Sequence, residues 1–392
     1  MTLPADVHAA LLELRDDPAA LPLSMPPPFY TDPAMLAAET DRVFLNGWVC
    51  VGREDETPEP GDYRTLEIFD EPLIVVRDRG GEVLVLSNVC RHRGSRLLEG
   101  TGRTTRFTCP YHRWSYGLDG ALLAAPLVDA SETFDRAGCR LPSFRTASWM
   151  GWTFVNLDGR AEDFPAPLGG LDAHVANYHA EEMRTAGTDV EAWPVNWKCL
   201  AENFMEGYHL TPVHRRTLHP MTPTRLCRKV PGGAGWTGYE SHYSESFAGR
   251  RPFHPDMTEA ERAQSMMVWI YPSFVAAVSP NSAVWMSIVP EGAEALCTRW
   301  GVVVREELDD DEARARFEFA QSFNAEDRAR LLEVQKGLRS RFATRGHLAP
   351  PDYEGTVVDF YRYMAGRLTD GAEGARADAP AAPARAPTGA MA

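Results

Sequence analysis

Two short cysteine–histidine clusters constrain this chain more than any other feature of its sequence. The segment CRH (90–92) is followed, after sixteen residues, by CPYH (109–112). Two thiolates and two imidazoles are donors that can hold zinc or an iron–sulfur centre. One Cys and one His per cluster favour a [2Fe–2S] centre with two unlike irons, because zinc fingers usually pair Cys with Cys and His with His. A Cys2His2 zinc site is the alternative for the four candidate ligands, Cys90, His92, Cys109 and His112.

Composition narrows the class of protein. The 392 residues are enough for two or three domains, and the net charge of −15 argues against a nucleic-acid partner. No apolar run has the length of a membrane span, and the N-terminal segment has no apolar h-region of a signal peptide. The cysteines are odd in number, seven in all, and the five outside the two ligand clusters are scattered, which fits a reducing compartment. We therefore expect a cytoplasmic protein that binds neither nucleic acid nor membrane.

The pattern of apolar residues changes along the chain. From residue 48 to about 158 it is typical of short strands and turns, with DRGG (78–81) as a hairpin signal. Both ligand clusters fall at loop tips of this region. Residues 370–392 are rich in Ala and Pro, which predicts a disordered tail. The expected elements are helices over 5–17, 33–45, 196–210 and 309–341, and strands over 65–69, 72–77, 82–88 and within 266–306.

A second polar cluster lies between residues 196 and 214. Glu206 and His209 are three apart, so on a helix they would share a face. His209 and His214 are five apart, which on a continuous helix separates them by roughly 140° and keeps them from one metal. Pro212 disfavours helical geometry at Thr211 and removes a backbone donor. We expect the helix to break there and to bring His214 back towards His209.

Two histidines need an anionic partner to hold ferrous iron. Two His and one carboxylate on one face leave positions open for O2 and substrate. The candidate is Asp327, in the charged helical segment, and Asp359 is its rival. On the residues alone, two structural histidines and a solvated acid are the alternative.

These segments together resemble the terminal oxygenase (alpha) component of the Rieske non-haem iron oxygenases. The similarity runs from FYTDPAMLAAETDRVFLNGWVCVG (29–52) through SNVCRHRG, CPYHRWSYGLDG and NWKCLAENFMEGYHLTPVH to NAEDRARLLEVQKGL (324–338). The resemblance implies an α+β fold with an N-terminal Rieske β-domain and a C-terminal helix-grip domain, an antiparallel sheet around a long helix. The implied segments are 1–47, helical and packed on the catalytic domain; 48–158, the Rieske domain; 159–369, the catalytic iron domain; and 370–392, the tail.

The resemblance also implies a role for each candidate residue. In a Rieske [2Fe–2S] cluster, one iron would be held by Cys90 and Cys109. The other iron would be held by His92 and His112. Mononuclear Fe(II) would be held by His209, His214 and Asp327. Glu206 occupies the position of the acid that links a cluster histidine of one subunit to an iron-ligand histidine of the next, and Asn203 would orient the site.

Assembly and substrate follow from the same resemblance. In this family the cluster and iron of one subunit are too far apart for fast electron transfer, so a head-to-tail homotrimer, or a trimer of alpha with beta subunits, is implied. An NAD(P)H-dependent reductase or ferredoxin would supply electrons and O2 would be co-substrate. Most ring-hydroxylating members have Asp where this chain has Glu206; Glu is found in the branch similar to choline, glycine betaine, carnitine and proline-betaine oxygenases. We expect a small N-methylated or quaternary ammonium substrate, hydroxylated or N-demethylated, with aromatic ring hydroxylation as the alternative.

A quaternary ammonium group would favour an aromatic cage. Core packing is the alternative for each candidate aromatic. Two other functions remain for comparison: a Rieske electron-transfer protein without catalytic iron, and a colourless, zinc-stabilised binding protein of the helix-grip class. The cage candidates are Trp236, Tyr239, Trp269 and Trp285, and Met205 and Leu210 are candidate pocket residues beside the metal motif.

Overall fold

The structure is a computed structural model that describes residues 2–16, 23–129, 133–164, 166–247 and 251–369. The tail predicted at 370–392 lies outside the described residues. Among the α-helices of the described residues, none is long and apolar enough to cross a bilayer. These helices are α1 (Ala5–Asp16), α2 (Pro28–Thr31), α3 (Pro33–Glu39), α4 (Asp172–Val175), α5 (Trp197–Phe204), α6 (Leu210–Val213), α7 (Asp310–Leu338) and α8 (Pro351–Thr369).

Ten short strands form the N-terminal β-domain in three small antiparallel sheets, ordered β4-β3-β2-β5, β6-β7-β8 and β1-β10-β9. The predicted hairpin joins β3 to β4, and both ligand clusters lie in loops, one between β4 and β5 and the other between β6 and β7. The strands are β1 (Val49–Arg53), β2 (Asp62–Ile68), β3 (Glu71–Arg77), β4 (Val83–Ser87), β5 (Thr101–Arg103), β6 (Phe107–Thr108), β7 (Ser115–Tyr116), β8 (Leu122–Ala124), β9 (Arg145–Trp149) and β10 (Trp152–Asn156).

The C-terminal region is built on one seven-stranded sheet, ordered β11-β17-β16-β15-β14-β13-β12, in which every neighbouring pair is antiparallel. Together with the helices on it, this sheet confirms the predicted α+β class. The strands are β11 (Arg184–Trp193), β12 (Cys227–Gly233), β13 (Trp236–His242), β14 (Gln264–Ile270), β15 (Phe274–Ser279), β16 (Ser282–Gly292) and β17 (Ala295–Val304).

Helix α7 lies against β11 and β17, and α8 lies against β12 and β13. The N-terminus of α7 is closed by a capping box: Asp309 accepts from the Glu312 N–H at 2.8 Å, and Glu312 accepts from the Asp309 N–H at 3.1 Å. The buried residues of α7 recur three to four positions apart along most of its length, which gives one face towards the sheet. They are Ala313, Ala320, Phe323, Asn324, Asp327, Leu331 and Gln335, so Asp327 belongs to the inner face.

The N-terminal helices pack on the C-terminal region. Helix α1 contacts α8, and a fully buried ion pair of 2.6 Å joins Glu39 at the end of α3 to Lys198 on α5. The β-domain contacts the same region through β1 and β16, where the Ser287 hydroxyl donates to the carbonyl oxygen of Cys50 at 2.7 Å. Cys199 is buried in this core, as expected for a spare cysteine that packs as a small hydrophobe.

Candidate functional site

The two ligand loops of the β-domain have the same backbone hydrogen bonds. In the first loop, the Gly94 N–H donates to the Cys90 carbonyl oxygen at 3.1 Å; in the second, the Arg113 N–H donates to that of Cys109 at 3.1 Å. Both donors have a left-handed backbone, with φ of 73° and 63°. The first loop has glycine there, and the second holds an arginine in a conformation that costs a non-glycine residue energy. The repeated turn presents one Cys and one His from each loop.

The sulfur side of this site is buried and the imidazole side faces outward. Cys90 and Cys109 are only 2% and 1% exposed, whereas His92 lies on the surface. The ring of His92 stacks on Trp114 with centroids 4.9 Å apart and planes 8° apart. The hydroxyl of Tyr116 lies 3.3 Å from Cys90 Sγ. Packing therefore orients both kinds of ligand before any metal binds.

The two thiols differ in acidity. Burial raises the pKa of Cys90. Burial opposes ionisation of Cys109 as well, but N–H groups of Tyr111 and His112 donate to its sulfur and lower its pKa below the usual value. Thiolate is the form that binds metal. The loop backbone thus prepares one of the two cysteines as a ligand.

The second site begins where α5 ends. After Phe204 the chain makes a turn, and Gly207 packs so closely on β12 that an added Cβ would lie 2.5 Å from Cys227 Sγ. Glu206 lies in this turn. Its carboxylate accepts from the backbone N–H groups of Tyr208 and His209, the latter at 3.0 Å. Glu206 therefore meets His209 through the turn, and the predicted shared helix face is wrong.

The predicted break at Pro212 is also wrong. Helix α6 runs through this residue: the Val213 N–H donates to the His209 carbonyl oxygen at 2.9 Å, and the His214 N–H donates to that of Leu210 at 3.3 Å. Pro212 is the third residue of α6, where an N–H would have no acceptor within the helix, so proline is tolerated. The interruption lies upstream, between α5 and α6. The imidazoles extend from the two ends of this single turn towards α7.

His209, His214 and Asp327 converge within this second site. One donor atom from each lies within 4.8 Å of the other two. Nε2 of His209 is 3.5 Å and Nε2 of His214 is 3.1 Å from Oδ1 of Asp327. Asn203 Nδ2 lies 3.4 Å from the same oxygen. The rival Asp359 lies elsewhere, because it pairs with Lys229 at 2.7 Å.

A carboxylate stands behind each of the two imidazoles. Nδ1 of His209 is 2.6 Å from Glu206, and Nδ1 of His214 is 2.7 Å from Glu326, which also accepts from the Thr217 hydroxyl at 2.6 Å. These contacts leave both Nε2 atoms facing Asp327. Burial lowers the pKa of His209, but the Glu206 carboxylate outweighs it, and the pKa rises to about 9. Glu326 was not predicted from the sequence. Its only indication there is that it is an acid directly before Asp327, a candidate ligand.

Buried polar atoms without a hydrogen bond indicate whether the candidate ligands of the two sites could bind a metal. Nε2 of His214 is buried and makes no hydrogen bond, and neither does the buried Nδ1 of His112. A buried nitrogen without a partner is costly, and coordination would satisfy it. The first donor set, two sulfurs and two imidazoles, fits the mixed ligands of a Rieske cluster. The second, two imidazoles and one carboxylate, fits mononuclear Fe(II).

A pocket opens at the second site between α7 and the sheet. His209, His214 and Asp327 line one part of it, and Leu210 and Tyr239 are the predicted pocket residues found among its walls. Met205 and the three candidate tryptophans are buried in the core instead. Further lining residues, not predicted from the sequence, include Phe204, Leu218, Met221, Tyr243, Ser265, Met267, Ser279, Ser282, Val284, Val302, Arg316, Phe319 and Phe323.

Comparison with known proteins covers both regions of the chain. The Rieske [2Fe-2S] domain family matches residues 47–144, and the ring hydroxylating alpha subunit (catalytic domain) family matches residues 173–370. The carnitine monooxygenase oxygenase subunit of Escherichia coli (strain K12) is 30% identical over 327 residues, which are 81% of this chain and 85% of that protein. The glycine betaine monooxygenase oxygenase subunit of Chromohalobacter salexigens is 37% identical over 199 residues, 50% of this chain and 44% of that protein.

The fold has relatives among solved structures. The quaternary ammonium Rieske monooxygenase CntA, in a crystal structure with an inhibitor, superimposes with a TM-score of 0.80 at 24% sequence identity, covering 94% of this chain and 99% of that chain. At that identity, the likeness establishes the architecture. It confirms the predicted combination of a Rieske β-domain with an antiparallel catalytic domain.

Proposed function

Because the chain belongs to the Rieske ring-hydroxylating oxygenase alpha subunits, we propose that it oxygenates a small N-methylated or quaternary ammonium compound at the site between α6 and α7. It is a Rieske-type, O2-dependent oxidoreductase whose cofactors are a [2Fe–2S] cluster and a mononuclear iron. Family members take electrons from a separate reductase. The observation that carries the proposal is the convergence of His209, His214 and Asp327 beside a pocket.

The residues of the chain supply binding and orientation. Cys90, Cys109, His92 and His112 would hold the cluster, and the three converging residues would hold the iron. When bound, the iron supplies O2 activation at positions that the protein leaves open. Glu206 and Glu326 accept from Nδ1 of the two imidazoles, which would leave Nε2 of each ring free to bind the metal.

Electron transfer would cross between subunits of a homotrimer or of a trimer of alpha with beta subunits. His112 of the β-domain and Glu206 of the catalytic region are both partly exposed. An exposed tyrosine accompanies each: Tyr111 is 58% and Tyr208 is 57% exposed. Exposed aromatics are enriched at protein interfaces. A head-to-tail ring would cover both tyrosines and bring His112 of one protomer to Glu206 of the next.

The substrate class rests on the relatives. The two curated relatives are named for carnitine and for glycine betaine, which are quaternary ammonium compounds. The pocket wall includes aromatic side chains, Phe204, Tyr239 and Phe323 among them, which suit a methylated cation as well as an aromatic ring. Hydroxylation followed by loss of formaldehyde would give N-demethylation.

The test combines metal content with turnover. Purified protein should hold about three irons per chain, two in the cluster and one mononuclear. Protein reduced without oxygen should then consume O2 with a methylammonium compound and release formaldehyde or a hydroxylated product, measured by mass. Two irons without turnover would indicate an electron carrier, and a colourless zinc protein would exclude both functions. Oxygenation of aromatic compounds alone would favour the ring-hydroxylating alternative.

A further inference from the structure

We propose that Arg316 selects substrates with a carboxylate at the end remote from the oxidised carbon. This inference rests on the proposed function and deepens it, because it separates zwitterions, which have both a quaternary nitrogen and a carboxylate, from simple cations such as choline. It arises from one lining residue of the pocket, an arginine that forms no ion pair within the part of the chain that the structure describes.

Arg316 and Asp327 lie on the same helix and line the same pocket. Eleven residues separate them, which along an α-helix is about 16 Å. Asp327 belongs to the metal end of the pocket. Arg316 therefore stands three turns away, at the end where the remote part of a bound molecule would lie. This distance is measured between backbone positions, and a substrate would span only the part that the two side chains leave open.

The guanidinium of Arg316 forms no ion pair among the described residues. Among the other arginines of α7, Arg314 pairs with Asp311 and Arg328 pairs with Glu191 at 3.5 Å, and Arg330 is exposed to solvent. Arg316 makes no such ion pair within 4.0 Å, and its Nε is buried without a hydrogen bond. Burial lowers its pKa and the carboxylate of Glu312, one turn earlier on α7, offsets only part of that shift, yet a guanidinium stays charged. A half-buried positive charge of this kind is costly unless an anion meets it.

The rest of the pocket contains little that could neutralise this charge. Asp327 is the one carboxylate among the lining residues, and it faces the histidines. Hydroxyl groups line the same pocket: Tyr243 and Ser279 each lie 2.7 Å from Ser265 in one hydrogen-bonded chain. Hydroxyls and a guanidinium are donors to a carboxylate. The pocket thus provides donors for an anion without an acid to compete.

The charges along the pocket then match a zwitterion in one orientation. The quaternary nitrogen would lie towards the metal end, where the carboxylate of Asp327 and the ring of Tyr239 are. The substrate carboxylate would lie towards Arg316. A simple cation leaves the guanidinium unpaired and gains nothing there. Arg316 would therefore determine substrate specificity, since it would contact the part of the substrate that does not react.

The experiment compares matched ligands on the iron-loaded, full-length protein. Binding of 4-trimethylammoniobutanoate and of 4-trimethylammoniobutanol would be measured by calorimetry without oxygen, and KM and kcat would follow in air. Wild type should bind the carboxylate more tightly. Arg316→Gln should weaken carboxylate binding by roughly 10- to 100-fold, the range for a charged hydrogen bond, and leave the alcohol unchanged. Arg316→Lys should fall between, because an ammonium is a point charge without the guanidinium fork.

Arg314→Gln is the control, since Arg314 is exposed on the same helix. It should change neither ligand. Equal weakening of both ligands by Arg316→Gln, or a wild-type protein that does not prefer the carboxylate, would overturn the inference. If neither ammonium compound binds and only aromatic compounds do, the proposed substrate class fails. Naphthalene and 2-naphthoate then test Arg316 separately: an Arg316-dependent preference for the acid supports its role, and no preference refutes it.

Discussion

The two candidate metal sites of this molecule are built in opposite ways. The cluster site is local: its four ligands lie within 23 residues, 90–112, on two loops with the same turn. The mononuclear site joins distant parts of the chain, because Asp327 is 113 residues after His214 (327 − 214 = 113). The first depends on loop backbone, and the second on the packing of α7 against the sheet.

This difference predicts different sensitivities. A local site should keep its geometry as long as its hairpins fold. A site assembled from distant segments should depend on the residues that orient its candidate ligands, here Glu206 and Glu326. Substitutions near the mononuclear site should therefore remove iron or turnover and leave the colour of the cluster intact.

Asp327→Ala should have the largest effect. It removes the one carboxylate of the three-residue set, so iron should fall from about three to about two per chain. Product formation should drop by at least roughly two orders of magnitude, because O2 activation needs the mononuclear iron. Metal analysis and the visible spectrum of the cluster measure the two sites separately.

Asp359→Asn is the matched control, because this carboxylate pairs with Lys229 and the Thr237 hydroxyl, outside the site. It should retain about three irons. Loss of the cluster spectrum in Asp327→Ala would mean that the two sites are not independent. Full iron in that variant would remove Asp327 from the ligand set.

Glu206→Gln should separate metal binding from electron transfer. The amide retains one oxygen for the backbone N–H groups but loses the charge beside His209. Both metals should remain, and turnover should fall by roughly 100-fold if the acid links the subunits. Iron content, cluster reduction by dithionite and product yield are the measurements. Glu318→Gln, exposed on α7, should behave like wild type, and near-normal turnover in Glu206→Gln would contradict the relay role.

The local cluster site and the assembled mononuclear site also differ in how far they could be predicted from the sequence. The four candidate cluster ligands could be named from their spacing alone, since their turns are local, and their role as ligands stays a prediction. The strands and α7 were predicted within a few residues because apolar periodicity reports burial. The path of residues 205–214 was not, because it depends on the close approach of Gly207 to Cys227 on β12. Arg316 and Glu326 could not be predicted, because their positions at the site depend on the packing of α7 against the sheet. No local sequence pattern encodes that packing.

Glu326→Gln should have a smaller effect than loss of a ligand. Glu326 accepts from Nδ1 of His214 and from the Thr217 hydroxyl. Loss of such a partner typically costs 10- to 100-fold in metal affinity. Titration of iron-free protein with Fe(II) should show weaker binding, and excess iron should restore turnover. An unchanged affinity would mean that packing alone orients His214. Thr217→Val should produce a weaker form of the same defect.

Glu202→Gln tests the scaffold of the assembled site and should have the smallest effect on activity. Glu202 is half-buried on α5, and the hydroxyls of Tyr30 and Tyr361 donate to it at 3.0 Å and 3.3 Å. Burial raises its pKa from 4.5 to about 8. The folded protein therefore retains a proton that the unfolded chain releases above pH 4.5, so this group's stabilising contribution is present below that pH and is lost as pH rises to about 8.

The neutral amide of Glu202→Gln can accept from both tyrosines and has no proton to release. Its free energy of unfolding should fall less than that of wild type between about pH 5 and 8, measured by urea denaturation. Glu318→Gln should keep the wild-type slope, because the side chain is exposed. Parallel curves for wild type and Glu202→Gln would mean that Glu202 is already ionised in the fold. A steeper pH dependence of unfolding in wild type would show that the contact of Glu202 with Tyr30 and Tyr361 stabilises the region around the mononuclear site. The cluster loops need no such tertiary contact.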